Sequence, residues 1–134
     1  ATTAFYDIAA DAGNTGSRSM ELPELLKWAD IVTLHCSAKD QLLGAAELAS
    51  MKKGSWLINT ARGTLIDEAA LTDLLRNGHL AGAALDVFGQ EPYSGPLTSL
   101  SNVILTPHIG SYAKESRIKM ESDAIANLMK GLGQ

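Results

Sequence analysis

The chain has 134 residues, of which 46% are apolar, and a net charge of −4 at pH 7. This length and apolar content suit one domain with a buried core and exclude a disordered chain. The acidic balance argues against a nucleic-acid surface, the apolar runs are too short to cross a bilayer, and the single Cys36 excludes an internal disulfide and fits a cytoplasmic setting.

Short apolar strands alternate with helix-like segments along the chain. The predicted strands are Thr3–Ile8, Ile31–Cys36, Ser55–Ala61, Ala83–Phe88 and Val103–Thr106. The predicted helices are PELLKWAD (23–30), GAAELASM (44–51), DEAALTDLLRNG (67–78) and a long final helix from Ala113 to Leu132. Nearly continuous apolar strands are typical of a parallel sheet that helices cover on both faces. The sequence therefore predicts an α/β fold, a three-layer sandwich built on a parallel sheet.

Local signals refine two of these helices and add a loop and a short strand. Asp67 is a good N-cap for the third helix, and Asn77–Gly78 is a good C-terminal stop. The final helix carries an apolar stripe that we expect to lie on the sheet, namely Ile118, Ile125, Leu128, Met129 and Leu132. The polar, glycine-containing stretch 9–18 predicts a loop, and Ser19–Met20 predicts a short edge strand.

Three polar side chains follow three successive predicted strands. Arg62 comes after SWLINTA, Glu91 after AALDVF and His108 after VILT. Open α/β sheets bind ligands beyond the carboxyl ends of their strands. Arg can bind a carboxylate through two parallel hydrogen bonds. An imidazole with a carboxylate beside it is suited to exchange protons near neutral pH. The trio therefore predicts a site for a small acid.

Each member of the trio also has a simpler interpretation. Arg62 alone is compatible with a surface cation, Glu91 before Pro92 with a solvated loop residue, and His108 after Pro107 with a hydrogen-bonded loop histidine. The functional interpretation rests on their joint occurrence at consecutive strand ends.

Five segments carry a family resemblance. They are FYDI (5–8), ADIVTLHC (29–36), MKKGSWLINTARGTLIDEAAL (51–71), LAGAALDVFGQEP (80–92) and NVILTPHIGS (102–111). Together they resemble the NAD-dependent D-2-hydroxyacid dehydrogenases, and within them the D-3-phosphoglycerate dehydrogenase type. The resemblance covers most of the chain. It implies the C-terminal part of an NAD-binding domain whose enzyme transfers hydride between NAD(H) and a 2-hydroxy or 2-oxo acid.

The resemblance also implies roles for individual residues. Arg62 is similar to the residue that binds the substrate carboxylate and polarises its carbonyl, His108 to the proton donor, and Glu91 to its partner. Asp7 is similar to the acid that bonds the adenosine ribose of NAD, and Asp86 to the residue that fixes the nicotinamide end. The remaining residues implied to lie along NAD are His35, Cys36, Thr60, Ala61, Ile109, Gly110 and Ser111. No metal is implied.

Part of the resembled enzyme is missing from the sequence. The family's Gly-rich turn, GxGxxG, does not occur, because Gly13-Asn14-Thr15-Gly16 has the wrong spacing. The whole chain, 1–134, is therefore expected to be a single partial NAD-binding domain, a Rossmann fold without its first strand and without a substrate domain. By itself it is expected to be inactive, and NAD binding by it is doubtful.

The lost central strand predicts a rearrangement, because unpaired buried backbone groups cost about 1–3 kcal/mol each. We expect the strand at 3–8 to slide into the empty slot beside Ile31–Cys36, which would give the flavodoxin-like order 2-1-3-4-5. A homodimer or strand exchange between two chains is the alternative.

Two other functions stay open from the sequence. One is a flavodoxin-like binding module that uses the Gly13–Ser17 loop for a phosphate or a flavin. The other is a non-catalytic structural unit. Neither implies a nucleic-acid or membrane partner.

Overall fold

The computed structural model describes residues 1–8, 16–38 and 40–133, and most of the predicted loop at 9–18 lies outside them. The strands are β1 (Ala4–Phe5), β2 (Arg18–Ser19), β3 (Ile31–Leu34), β4 (Trp56–Asn59), β5 (Gly82–Leu85) and β6 (Val103–Leu105). The helices are α1 (Leu22–Trp28), α2 (Ala45–Ser50), α3 (Glu68–Arg76) and α4 (Lys114–Gly131). Two 3₁₀ turns cover Gly63–Leu65 and Pro96–Ser99. The predicted elements are present, with shorter strands than predicted.

The main sheet has four parallel strands in the order β3-β4-β5-β6. Ile31 lies beside Trp56, and Trp56 beside Gly82. Leu85 at the end of β5 lies beside Leu105 in β6. The α/β fold with a parallel sheet is confirmed. Because all four strands run in parallel, the loops that follow them lie in one row along the carboxyl edge of the sheet. Adjacent strands in such a sheet are about 4.8 Å apart.

The first two strands form a separate sheet. β1 pairs with β2 in parallel, through Ala4 with Arg18 and Phe5 with Ser19. Within the described residues neither strand pairs with β3, so the expected order 2-1-3-4-5 does not form. The expectation assumed that an orphan edge of β3 would be buried. Ile31 is 60% exposed, so β3 lies at an open side of the sheet in the described part of the chain, where unpaired backbone groups can hydrogen-bond to water instead of to a strand.

One face of the main sheet is closed. It carries Val32, Leu34, Leu57 and Leu85, all buried in one cluster with residues of α1, α2 and α3. Helix α3 begins as predicted, because the Asp67 carboxylate accepts a hydrogen bond from the Ala70 N–H at 3.0 Å. Burial of a Leu side chain stabilises the fold by about 1.5–3 kcal/mol. This face holds the core of the domain.

The other face is open in the described part of the chain. Ile31, Trp56 and Ile104 alternate with buried or partly buried residues of their strands and are exposed. Every described residue of α4 is also exposed, so the prediction that its apolar stripe lies on the sheet is wrong. Between Ile118 and Ile125 the same face of the helix is occupied by the polar residues Glu121 and Ser122. The apolar stripe is therefore interrupted. None of the helices in residues 1–8, 16–38 and 40–133 has the length and apolar character needed to span a membrane.

Candidate active site

Asn59, the last residue of β4, builds the turn that carries Arg62. Its side chain is 1% exposed. The amide oxygen accepts a hydrogen bond from the Ala61 N–H at 3.0 Å, and the amide nitrogen donates to the Arg62 carbonyl at 2.9 Å. The Arg62 guanidinium donates to the Ala61 carbonyl at 2.6 Å. A single buried amide therefore fixes both ends of the turn.

Gly63 brings this turn against the loop that follows β5. A Cβ atom placed on Gly63 would lie 1.9 Å from the Phe88 carbonyl carbon and 2.4 Å from the Gly89 nitrogen. No side chain fits at that distance, so glycine is required for the close approach. The Glu68 carboxylate holds the same loop from α3, because it accepts a hydrogen bond from the Gly89 N–H at 2.7 Å.

Glu91 connects this loop with the one after β6. One carboxylate oxygen accepts a hydrogen bond from the Phe88 N–H at 3.1 Å, and the other lies 2.9 Å from His108 Nδ1. The hydrogen bonds from His108 and from the Phe88 amide lower the pKa of Glu91. The carboxylate is thus ionised at neutral pH and favours the His108 tautomer that carries its proton on Nδ1.

Asp86, at the end of β5, anchors the loop that contains His108. It is 7% exposed. One carboxylate oxygen accepts from Thr106 Oγ1 at 2.5 Å and from the Ile109 N–H at 2.9 Å, and the other accepts from the Gly110 N–H at 2.9 Å. Burial raises the pKa of Asp86, but the hydrogen bonds from Thr106, Ile109 and Gly110, with the His108 charge, lower it overall.

This anchor explains the unusual backbone of His108. His108 has φ of +54°, a left-handed conformation that non-glycine residues adopt only when neighbouring structure holds them there. Asp86 supplies that hold by binding the two amides that follow His108. His108 Nδ1 is hydrogen-bonded to Glu91, and Nε2 has no hydrogen-bond partner within the part of the chain that the structure describes. Nε2 is therefore the atom left to exchange a proton with a ligand.

The predicted catalytic trio converges. Arg62, Glu91 and His108 line one cleft of about 270 Å³ together with backbone and side-chain atoms of Gly63, Thr64, Val87, Phe88 and Gly89. A cation, an ionised carboxylate and an imidazole in one cleft at the carboxyl edge can bind an acid and move a proton to or from it.

Most of the predicted cofactor residues follow strands of the main sheet, but they do not all meet, and Asp7 follows a strand of the other sheet. His35 and Cys36 follow β3, with His35 Nε2 hydrogen-bonded to Thr33 Oγ1 at 3.0 Å, and Cys36 is exposed. Thr60 and Ala61 belong to the Arg62 turn, and Ile109, Gly110 and Ser111 to the His108 loop. Asp7 follows β1, in the separate small sheet. None of these residues lines the Arg62 cleft.

Sequence reasoning missed four residues that hold the site. They are Asn59, Gly63, Glu68 and Thr106, which act through the contacts given above. Asn59 could have been found, because an amide at the end of an apolar strand needs partners when buried. The partners of Gly63 and Glu68 lie more than 20 residues along the chain, and no local pattern reveals them.

Known proteins match both the sequence and the fold. The family model described as "D-isomer specific 2-hydroxyacid dehydrogenase, NAD binding domain" matches residues 2–110. The chain is 40% identical to D-3-phosphoglycerate dehydrogenase of Escherichia coli K12, over 94% of this chain and 33% of that protein. It is 42% identical to glyoxylate reductase of Aeropyrum pernix, over 85% of this chain and 36% of that protein. The chain thus spans about a third of the length of these relatives.

Solved structures agree with this similarity. The holo form of Rhodotorula graminis D-mandelate dehydrogenase superposes with a TM-score of 0.89 at 33% identity, over 96% of this chain and 40% of that one. An NAD-complexed D-isomer specific 2-hydroxyacid dehydrogenase from Lactobacillus delbrueckii ssp. bulgaricus gives a TM-score of 0.87 at 30% identity, over 97% and 46% of the two chains.

Proposed function

Because the chain belongs to the D-isomer specific 2-hydroxyacid dehydrogenase family as part of its NAD-binding domain, we propose that it supplies the catalytic wall for the interconversion of a 2-hydroxy acid and a 2-oxo acid. The observation that carries this proposal is the 2.9 Å contact between His108 Nδ1 and Glu91, in a cleft that Arg62 also lines. A family member needs a proton-transfer group and a carboxylate-binding group side by side, and this cleft has both.

The chain's own residues divide the work. Arg62 binds the carboxylate of the 2-oxo acid and polarises its carbonyl, since a guanidinium pairs with a carboxylate in a planar, two-pronged geometry. His108 donates the Nε2 proton to the carbonyl oxygen. Glu91 stabilises the imidazolium and keeps the ring turned toward the substrate. In the oxidation direction His108 Nε2 takes the proton of the hydroxyl group.

NAD, when bound, supplies or accepts the hydride, which is the part of the chemistry that belongs to the cofactor. The row of loops at the carboxyl edge fits its nicotinamide half, with Thr60, Ala61 and the 109–111 backbone as candidates to hold it. Asp86 is committed to the His108 loop through both oxygens, so its contact with the nicotinamide end stays a prediction. Asp7, His35 and Cys36 stay candidates for the adenosine side.

The pyrophosphate of NAD has no evident clamp in this sequence. A dinucleotide site normally places the pyrophosphate on a Gly-rich turn at a helix N-terminus, and the sequence contains no GxGxxG. We therefore propose that this chain alone binds NADH weakly and does not turn over a 2-oxo acid. The activity would need the remaining part of the enzyme, either from the same polypeptide or from a partner. Homodimerisation and strand exchange stay predictions.

A titration with NADH tests this proposal. NADH fluorescence is followed with the 134-residue chain alone, and again after adding the part of the Escherichia coli relative that this chain does not match. The proposal predicts weak binding alone and at least tenfold tighter binding in the mixture. Low-micromolar binding by the chain alone would contradict the role given to the missing phosphate turn. A mixture that binds no better than the chain alone would contradict the complementary role of the missing part.

A further inference from the structure

A second cavity lies on the other side of Glu91 from the Arg62 cleft. Its volume is about 520 Å³, which is within the range of about 300–1,000 Å³ that small-molecule sites occupy. Its lining consists of Phe88, Glu91, Pro92, Tyr93, Thr98, Leu105, Thr106 and Pro107. Only Phe88 and Glu91 are shared with the Arg62 cleft, and neither Arg62 nor His108 lines it.

The cavity has a preformed aromatic wall. The rings of Phe88 and Tyr93 stack with their centroids 4.3 Å apart and their planes at 19°. The Tyr93 hydroxyl accepts a hydrogen bond from the Leu97 N–H at 3.3 Å. Gly95 packs so closely on Tyr93 that a Cβ atom there would lie 2.4 Å from the hydroxyl. These contacts fix Tyr93, so a planar ligand can stack on it without first ordering the wall.

The charge of the cavity disfavours anionic ligands. Among the described residues that line it, Glu91 is the only group charged at neutral pH. A carboxylate or phosphate entering here would lose water without meeting a cation, which is unfavourable. A 2-oxo acid, or the pyrophosphate of a dinucleotide, is therefore a poor occupant. We propose that this cavity is a separate binding site for a planar aromatic heterocycle that is neutral or cationic.

A ligand in this cavity would contact the residues that hold the catalytic pair. Glu91 forms a wall of both cavities, and Pro107 directly precedes His108. Occupancy therefore perturbs the environment of the His108 imidazole, whose Nδ1 lies 2.9 Å from the Glu91 carboxylate. The imidazole C–H resonances of His108 are a direct reporter of the site.

Binding is measured by ligand-observed and imidazole NMR with three related probes: indole, tryptamine and indole-3-acetate. Small fragments of this size bind at about millimolar Kd. The proposal predicts that indole and tryptamine bind and shift the His108 resonances, and that indole-3-acetate binds at least tenfold more weakly. Tighter binding of indole-3-acetate than of tryptamine would overturn the proposed charge preference and with it the site.

Two neighbouring positions provide a matched pair of variants. Thr98 lines the cavity and Ser99 does not. Both hydroxyls donate to a carbonyl three residues earlier, at 2.8 Å, so each variant loses the same type of hydrogen bond. Thr98→Phe should fill the cavity and weaken indole binding about tenfold, and Ser99→Phe should change it less than twofold. Equal effects of the two variants, or none from Thr98→Phe, would overturn the proposal.

Tyr93→Leu is a second test that does not fill the cavity. It removes the stacking wall and should also weaken indole binding at least threefold, whereas unchanged indole binding would contradict the proposed wall.

Arg62→Gln separates this site from the proposed dehydrogenase function. This variant should leave indole binding unchanged even if the 2-oxo acid site is lost. Loss of indole binding in the variant would show that indole binds in the Arg62 cleft, which would overturn the proposal.

Discussion

The two faces of the main sheet differ sharply, although the same strands build both. On the closed face Leu57 is fully buried in the cluster that α1, α2 and α3 cover, whereas on the open face Ile104 is 61% exposed. The trio lies at the carboxyl edge, and the residues that hold it are buried Asn59, buried Asp86 and the glycine contact at Gly63. The site is therefore supported by buried residues at the carboxyl edge of the main sheet, and none of these contacts involves a residue of α4.

The largest expected effect contrasts the two faces directly. Leu57→Ala removes a fully buried side chain and should lower the free energy of unfolding by about 2–5 kcal/mol. Ile104→Ala removes an exposed one and should lower it by less than about 1 kcal/mol. Urea unfolding of both variants measures the difference. Similar losses in the two variants would mean that another element covers the open face in solution.

A second contrast concerns two glycines. Gly63→Ala places a methyl group against the Phe88–Gly89 backbone and should destabilise the fold by about 1–3 kcal/mol while pushing the Arg62 turn away from the Glu91 loop. Gly131→Ala, on α4, has no atom within 4 Å of the new methyl and should slightly stabilise the helix.

Thermal unfolding and amide NMR shifts of residues 60–64 measure the effects of both glycine variants. A harmless Gly63→Ala substitution would refute the close approach that joins the two catalytic loops.

A third test uses pH. The folded pKa of Asp86 and that of Glu91 are both lowered, so each carboxylate stabilises the fold fully above its unfolded pKa. This stability is lost as the pH falls through the folded pKa. The free energy of unfolding should therefore fall in acid.

The Asp86→Asn variant should be about 1–2 kcal/mol less stable at neutral pH, because an amide replaces the carboxylate that accepts from two backbone N–H groups. Its acid dependence should be shallower than that of the unaltered chain. Urea unfolding between neutral and acid pH measures both effects. If the free energy of unfolding depended on pH equally in the variant and in the unaltered chain, the proposed role of the Asp86 carboxylate in holding the His108 loop would be contradicted.

The smallest effect belongs to the exposed helix. Arg117 and Glu121 form an ion pair at 3.3 Å on α4, with both side chains more than half exposed. Glu121→Gln should therefore change the free energy of unfolding by less than about 0.5 kcal/mol. Lys119 and Asp123 form a similar pair at 3.0 Å, and Asp123→Asn, which also exchanges a carboxylate for an amide of the same size, should have an equally small effect. A large loss in either variant, measured by urea unfolding, would indicate that α4 packs against the body.

The sequence predicted those parts of the structure that depend on local patterns. The Asp67 cap and the Asn77–Gly78 stop identified α3, and the placement of Arg62, Glu91 and His108 after successive strands predicted that they meet. The open face could not be predicted from the sequence, because an apolar residue such as Ile104 has the same pattern whether or not a neighbour covers it. Local pattern also gives no signal that β1 pairs with β2 and, within the described residues, not with β3.

The hydrogen bonds that hold the site could not be predicted from the sequence for a different reason. The contact of Asp86 with the cofactor stays a prediction, and its oxygens hold the backbone 23 and 24 residues further along the chain, which the sequence did not indicate. Such long-range hydrogen bonds follow from the fold and not from local spacing. A polar residue in an apolar run indicates that partners exist, without indicating which ones.

Reduction of glyoxylate by NADH, in the chain complemented with the rest of the enzyme, tests the central claim most directly. The absorbance of NADH is followed for the unaltered chain and for His108→Asn, with NADH binding measured in parallel as the control. The account predicts turnover that falls at least about a hundredfold in the variant, the usual size of a general acid–base contribution, with NADH binding unchanged. Full turnover in His108→Asn with intact NADH binding would contradict the assignment of His108 as the proton-transfer residue.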